Sequence, residues 1–446
     1  MNAPTSDNHA SYDKTKLFIL SVIALVTAGM AFSIRGGITN DLQKVFFDPI
    51  DPQNAAARVT AVTGAAFLGF AISVLIGSPL CDVLGMGKLL GLACALFVAG
   101  VGGTLLTPAG ESAQTMLWAS MFGMGLAHGL VEAVINPLAA TLYPEDKTHK
   151  LNVLHAWWPG GIIIGGLISA SGISWKLQLI IILLPAITFG AMLMGAKFPP
   201  TERVAAGISS GDMFKEAFRP LFIVFFLCMF LTASTELAPG QWVDAALTRT
   251  VHFRGILLLV YVSGLMFVMR YFAGPLAHKL SPVGLLWFSS VLGAVGLFLL
   301  ATANSPVTGL LAATVWGVGV CYMWPTMLAV TSERFPRGGA FLMGVMGSAG
   351  NLAIFFVLPK LGQVFDDAKL AAAKAQNLDF AALSTAAKTD TAKADTLNTI
   401  LSSASETSFK AVAILPVILI VVFALIWMYD KSKGGYKAER LVNDEN

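Results

Sequence analysis

The sequence predicts an all-α membrane protein with twelve transmembrane helices, and three observations lead to this fold class. Apolar residues make up 56% of the 446 residues and charged residues only 12%, whereas a soluble domain has about 25% charged residues. The apolar residues fall into runs long enough to cross the roughly 30 Å hydrocarbon core of a bilayer as helices. A polar stretch after the sixth run leaves six runs on each side of it.

Each predicted span is an apolar run of about 20 residues. The spans cover residues 17–39, 59–79, 87–108, 115–138, 152–173, 178–197, 220–247, 255–277, 283–302, 308–331, 339–361 and 410–429. The chain then divides into an N-terminal tail 1–16, a first six-helix half 17–197, a linker 198–219, a second six-helix half 220–429 and a C-terminal tail 430–446. A polar insertion in the second half, 366–408, has balanced charge and many alanines, which predicts one or two short amphipathic helices outside the bilayer.

The distribution of Lys and Arg predicts the orientation. The tails, the linker and the other segments on their side carry sixteen of these residues, and the short loops on the opposite side carry five. Because basic residues concentrate in cytoplasmic loops, we expect both termini in the cytoplasm and the insertion 366–408 in the periplasm of a bacterial inner membrane. The polar first sixteen residues argue against a cleaved signal peptide. The net charge of +3 follows from this topology, and no nucleic-acid partner is expected.

Three charged side chains interrupt apolar runs: Arg35, Glu132 and Glu236. A charge at bilayer depth costs roughly 3 kcal/mol or more, so these residues favour a protein that moves a polar solute through the membrane. His128 and Asn136 lie four residues on either side of Glu132 and therefore share its helical face. We predict that the three charges and His128 couple an ion to transport, with Arg35 neutralising Glu132 across a cavity. A structural ion pair, and for His128 a core histidine, are the alternatives.

Aromatic and amide side chains in the spans suit a sugar, whose C–H faces stack on rings while its hydroxyls bond to amides and carboxylates. Packing or a place at the membrane interface is the alternative for each aromatic residue. The predicted solute-binding residues are Asn136, Asn152, His155, Trp158, Gln241, Trp242, Tyr322, Trp324 and Asn351.

The sequence argues against an enzyme. It has no nucleophile–base pair, metal-ligand spacing or phosphate-binding Walker A motif, so no catalytic residue, metal or cofactor is predicted. Uphill transport would then use an ion gradient, with H+ or Na+ as the coupling ion. The expected partners are a small solute, with a sugar as the first candidate, and membrane lipid, and the chain is expected to be a monomer.

The turn between predicted spans two and three carries a more specific motif. Residues 77–88, Gly-Ser-Pro-Leu-Cys-Asp-Val-Leu-Gly-Met-Gly-Lys, resemble the G-x-x-x-D-x-x-G-x-x-K/R signature of the major facilitator superfamily. Because such transporters consist of two six-helix repeats, the resemblance implies the major facilitator fold. It also implies a role in the conformational cycle for Gly77, Asp82, Gly85 and Lys88, and for a loose second copy of the motif at Arg270.

Spans four and five resemble the fucose/proton symporter family within that superfamily. Glu132 precedes an Asn-Pro pair that starts at Asn136, and a Leu-Asn pair that ends at Asn152 is followed by His155 and two tryptophans. The resemblance implies symport of a monosaccharide with a cation by alternating access. Span one of that family carries an Asp in the proton pathway, whereas the corresponding stretch here carries Arg35.

Two other functions remain open. Arg35 could bind a carboxylate, which would make the protein a symporter of a sugar acid or an organic anion. A non-transporting membrane receptor is the alternative from another class, and solute flux into proteoliposomes would distinguish it.

Overall fold

The computed structural model describes residues 12–51, 55–251, 255–387, 389–439 and 441. These residues form helices joined by short turns, and no strand occurs among them. The all-α fold class predicted from the sequence is confirmed.

The helices of the first half follow the first six predicted spans closely. After α1 (Lys14–Gly37) come a short α2 (Thr39–Leu42), a π-helical turn (Gln43–Phe47), α3 (Ala55–Val83), α4 (Met86–Leu106), α5 (Ala113–Leu142), α6 (Lys147–Ala170) and α7 (Trp175–Met192). The linker contains the short helices α8 (Glu202–Ala205) and α9 (Ser210–Lys215) and a 3-10 turn (Glu216–Phe218).

The second half contains long helices and two interrupted ones. Its elements are α10 (Pro220–Val251), α11 (Gly255–Arg270), α12 (Ala273–Leu280), α13 (Pro282–Thr302), α14 (Pro306–Val320), α15 (Met323–Arg334), a 3-10 turn (Pro336–Gly338), α16 (Gly339–Ala375), α17 (Phe380–Ala386) and α18 (Thr391–Ser432).

Ten helices of the described residues are long and apolar enough to cross a membrane, when α14 and α15 are taken as one. The pair α11 and α12 is an eleventh candidate. The predicted span 339–361 lies within α16, where some side chains are outside the description. A helix therefore occupies every predicted span.

Two regions differ from the prediction. Span eight was expected to be continuous, but α11 and α12 meet at a bend of 60°. Pro275 accounts for the break because it lacks the N–H that would bond to the carbonyl of Tyr271. In the insertion, α16 continues to Ala375 and α18 already begins at Thr391, so only α17 is a short separate helix. The alanine-rich sequence favours continued helix beyond the apolar spans.

Small residues let the helices of the first half approach closely. A Cβ atom on Gly125 of α5 would lie 2.1 Å from the backbone oxygen of Ala66 in α3, and one on Gly161 of α6 would lie 2.6 Å from that of Val26 in α1. Only glycine fits such contacts, which are typical of helix packing in membranes. The packing places α5 and α6, with their polar residues, directly against α3 and α1.

We call the side of the molecule that holds the linker the linker face. There Lys147, at the start of α6, forms an ion pair with Glu202 of α8 at 2.7 Å. The neighbouring Thr148 donates to Glu333 of α15 at 2.7 Å. These contacts join the first half to the linker and to the second half.

Candidate functional site

Glu132 lies near the middle of the membrane-spanning part of α5 and is buried. Asn136, one turn along the same helix, donates from Nδ2 to the Glu132 carboxylate at 2.8 Å. The Oδ1 atom of Asn136 can accept a further hydrogen bond, and Nε2 of His155 in α6 lies 2.8 Å from it. This contact fits a His155 ring that carries its proton on Nε2 and donates it to Asn136. His155 Nε2 also lies 3.8 Å from Glu132 Oε2. The polar stripe of span four is thus bonded to span five.

Prolines in α6 and α15 leave two backbone carbonyls without their helical donors. Pro159 has no N–H for the carbonyl of His155, and Pro325 has none for that of Cys321. Arg270, the last residue of α11, supplies both donors: Nη1 lies 2.6 Å from the His155 oxygen and Nε lies 2.6 Å from the Cys321 oxygen. Because unsatisfied buried carbonyls are costly, this arginine stabilises both interrupted helices.

Arg270 also has an acidic partner. Its Nη2 donates to Glu236 Oε1 of α10 at 3.1 Å, and both side chains are buried. Within the described residues, Glu236 Oε2 has no hydrogen-bond partner. We call Glu132, Asn136, His155, Arg270 and Glu236 the central network. It runs through direct hydrogen bonds from α5 and α6 in the first half to α11 and α10 in the second.

Two more carbonyls freed by prolines receive side-chain donors. In α10, the oxygen of Thr235 accepts from Trp316 Nε1 at 3.2 Å. In α5, the oxygen of Ala133 accepts from Cys81 Sγ at 3.4 Å. The four prolines therefore create acceptors inside the bundle that neighbouring helices satisfy, as expected where no water is available.

The predicted pair of Arg35 with Glu132 is wrong for this conformation. The Arg35 guanidinium lies 5.5 Å from the ring centre of Phe32 and 5.2 Å from that of Phe67. No carboxylate of the described residues forms an ion pair with it. The reason is that Asn136 holds the Glu132 carboxylate toward α6, whereas the rings of α1 and α3 hold the guanidinium.

His128 is held by aromatic rings and not by hydrogen bonds. It stacks on Trp158 with 4.8 Å between ring centres, and Phe70 meets it edge-on at 4.4 Å. Its Nε2 atom lies 4.0 Å from Glu132 Oε1 and is buried without a hydrogen-bond partner in the described part of the chain. The nitrogen therefore has hydrogen-bonding capacity that the described residues leave unused inside the bundle.

Asn152 and Tyr322 make contacts between helices. Asn152 donates to the hydroxyl of Thr326 at 3.2 Å, which joins α6 to α15. Tyr322 is fully buried and its hydroxyl donates to the carbonyl of Met269 at 2.9 Å. These positions favour packing roles over the solute contacts predicted from the sequence.

Trp324 and Asn351 lie side by side on α15 and α16. The Trp324 ring covers Gly350, where an added Cβ would lie 2.3 Å from it, and the amide of the adjacent Asn351 donates to the carbonyl of Gly347 at 3.1 Å. Both side chains are half-buried. The side chains of the predicted residues Gln241 and Trp242 lie outside the description.

Asp82 of the predicted conformational motif binds the linker. Arg203 of α8 donates to its carboxylate from Nε at 2.9 Å and from Nη2 at 2.5 Å, and Thr201 adds a hydrogen bond at 2.6 Å. Arg203 also lies against Gly339, the first residue of α16, where an added Cβ would be 3.1 Å away. The linker thus connects the α3–α4 turn of the first half to the second half.

The other motif residues occupy different environments. Gly85, the residue just before α4, has φ +86°, a conformation that glycine adopts without strain. Gly77 packs against Leu130 of α5, and Lys88 is exposed. Arg270 does not belong to a turn at the linker face, as the loose second motif implied. It lies at the break in span eight, because Pro275 ends α11 there.

The partners of these residues were not predicted from the sequence. Arg203 and Thr201 of the linker, and Thr148 with Glu333, are hydrogen-bonded across 119 to 185 positions of the chain. No periodicity connects positions so far apart. The available signal was compositional, since the linker and the span ends carry acidic and basic residues on the same predicted side.

The described residues contain no group of three or more His, Cys, Asp or Glu side chains that could hold a metal ion.

The sequence matches the profile of the Major Facilitator Superfamily over residues 17–358. A comparison with curated proteins finds no match.

Among solved structures, the chain is similar to two symporters of E. coli. The proton:xylose symporter XylE superposes with a TM-score of 0.72 at 14% identity, over 92% of this chain and 95% of the other. The fucose:proton symporter FucP in its outward conformation has a TM-score of 0.67 at 15% identity, over 92% of this chain and 99% of the other. The human organic anion transporter MFSD10 has a TM-score of 0.66 at 12% identity, over 93% of this chain and 100% of the other.

Proposed function

Because this chain belongs to the major facilitator superfamily, as the motif at Asp82 predicts, we propose that it couples the uptake of a solute of the monosaccharide class to a cation gradient. The protein is a transporter of the membrane and not an enzyme. Its solute, its coupling ion and the alternating-access mechanism are parts of the proposal.

The central network is the observation that carries the proposal. It places two carboxylates, Glu132 and Glu236, in different halves and connects them through side chains that bond across the interface of the halves. A change at one carboxylate can therefore alter contacts that hold the halves together. Alternating access requires such a connection between ion binding and the relative movement of two repeats.

H+ is favoured over Na+ as the coupling ion. Around Glu132 lie an amide nitrogen of Asn136 and the ring nitrogens of His128 and His155. Na+ is a hard cation that prefers oxygen ligands, whereas an amide N–H only donates and an imidazole nitrogen can accept or pass on a proton.

The solute class is supported by the side chains beside the network. Trp158 and Trp324 are half-buried and offer ring faces, and Asn351 offers an amide. Sugars bind to such combinations of rings and hydrogen-bonding groups. Two structural neighbours are sugar symporters by name, which agrees with this class.

The linker face supports an assignment of the conformation. If it is the cytoplasmic side, as the basic residues predict, the bonds of Lys147 to Glu202 and of Thr148 to Glu333 hold the first half to the linker and to the second half on that side. Opening toward the cytoplasm then requires these bonds to break. The contact of Asp82 with Arg203 lies in the same layer and would change in the same step.

Uptake into proteoliposomes tests the proposal. Purified protein should accumulate a radiolabelled sugar or sugar acid when an inward H+ gradient is imposed, and the accumulation should collapse with a protonophore. If a Na+ gradient drives accumulation when the pH is equal on both sides, the coupling ion is Na+ and not H+. Binding of a solute without any flux would contradict the proposal in favour of a receptor.

A further inference from the structure

Arg35 is a cation buried in a membrane span without an acidic partner among the described residues. We propose that it binds the anionic group of the solute, so that the transported molecule is a sugar acid or a related hydroxy-carboxylate. This inference rests on the proposed transport function and names the substrate class.

The comparison with the other buried arginines makes Arg35 exceptional. In the described part of the chain four arginines are buried, and three of them have a carboxylate partner. These pairs are Arg203 with Asp82, Arg270 with Glu236, and Arg334 with Asp430. A buried charge that lacks its counterion is strongly unfavourable, so the fourth arginine calls for an anion from outside the protein.

The contacts of Arg35 leave its hydrogen-bond donors available. Its guanidinium contacts the rings of Phe32 and Phe67, which attract the positive charge. These ring contacts do not use the N–H groups of the guanidinium as hydrogen-bond donors. The guanidinium carries five such donors in a geometry that matches the two oxygens of a carboxylate. The rings thus orient the guanidinium and leave the bidentate contact to the solute.

The surroundings suit the rest of a sugar acid. Phe32 lies 5.4 Å from Trp158, and Trp158 stacks on His128, so aromatic surface continues from Arg35 toward Glu132. His128 Nε2 is buried and unpartnered in the described region, which offers a hydrogen bond to a hydroxyl. A small hydroxy-carboxylate can therefore meet a cation at one end and a polar nitrogen near the other.

A binding experiment separates this inference from the proposed function. Purified protein in detergent is titrated with D-glucuronate, D-galacturonate and D-gluconate, and with D-glucose, D-galactose and L-fucose. Binding is followed by thermal shift and by calorimetry, and uptake of the same compounds is measured in proteoliposomes. The variants are Arg35→Met, Arg35→Lys and, as the matched control, Arg337→Met, which removes a half-exposed arginine at the linker face.

We expect at least one acid to bind wild-type protein more tightly than its neutral parent by about 10- to 100-fold, the usual worth of a charge-assisted bond. Arg35→Met should lose that preference and Arg35→Lys should keep part of it, whereas Arg337→Met should bind like the wild type. Because Lys keeps the charge, the Lys variant still reports on the site if the Met variant does not fold.

Two outcomes would overturn the inference in distinguishable ways. If neutral sugars are bound and transported, and acids are not preferred or keep their preference in Arg35→Met, the anion site is wrong and the proposed function stands. If no sugar or acid is transported by wild-type protein, the proposed function fails as well.

Discussion

Each half of the molecule buries an arginine in a membrane span, and the two arginines differ in their partners. Arg270 in the second half bonds to the Glu236 carboxylate and to two carbonyls that prolines have freed. Arg35 in the first half lies over two phenylalanine rings and has no carboxylate partner among the described residues. Arg270 is therefore part of the protein's own structure, and Arg35 is the arginine for which we propose a ligand.

The same contrast separates the two carboxylates. Glu236 is paired with a fixed positive charge, whereas Glu132 bonds to the neutral amide of Asn136 and lies near two histidines. A carboxylate without a cationic partner can be protonated without leaving a buried charge unpaired. This difference favours Glu132 as the group that binds the coupling proton and Glu236 as a group that holds the halves together.

Arg270→Met should destabilise the protein strongly. The substitution leaves Glu236 without its cation and the carbonyls of His155 and Cys321 without donors, so we expect a loss of about 3–5 kcal/mol in unfolding free energy. Chemical unfolding in mixed micelles measures it. Adding Glu236→Gln should recover only part of the loss, because the two carbonyls remain unsatisfied.

Arg35→Met is the matched control for this prediction. Removing a buried cation that has no acidic partner should not lower the unfolding free energy in the absence of solute and should raise it, because a buried charge without a counterion is unfavourable. Equal losses in the two variants would contradict the distinction between a structural and a ligand-binding arginine.

A smaller effect is expected at a third buried arginine, Arg203. Asp82→Asn removes the charge that binds Arg203 of the linker. We propose that this bond is present only while the linker face is closed. Loss of the bond should destabilise the conformation with the closed linker face by roughly 1.4 kcal/mol, which corresponds to a ten-fold change in an equilibrium. We therefore expect the maximal transport rate to fall about ten-fold, while intrinsic solute affinity changes little. Initial rates of uptake and solute titrations measure the two quantities.

The control for Asp82→Asn is Asp212→Asn, which removes an exposed linker carboxylate bonded to Lys215. It should transport at the wild-type rate, because exposed ion pairs contribute little. Loss of solute affinity in Asp82→Asn in every conformation would show that Asp82 acts on the binding site and not on the conformational cycle.

The fold was predictable because the sequence signals for each span lie within the span or next to it. Runs of apolar residues, basic flanks and the motif around Asp82 all act within one helix or one turn, and a helix occupies every predicted span. The stripe of His128, Glu132 and Asn136 was likewise predictable, because its members lie on one face of α5.

The pairing of charges was not predictable in the same way. Arg35 and Glu132 have opposite charges at similar depth, but the choice of partner depended on Asn136 and on rings from two other helices. The role of Arg270 depended on prolines in α6 and α15, far away in sequence. Prolines in spans indicate free carbonyls, but the sequence does not reveal which donor reaches them.

Glu132→Gln tests whether Glu132 binds the coupling proton. Gln keeps an acceptor for the Asn136 amide but cannot release a proton, so the loaded transporter can still cross between its states while net coupling is lost. With Glu111→Gln, an exposed carboxylate just before α5, as the control, both variants are compared in proteoliposomes. We expect Glu132→Gln to retain solute exchange between the two sides and to fail to accumulate solute against a gradient. Accumulation at the wild-type level by Glu132→Gln would contradict it.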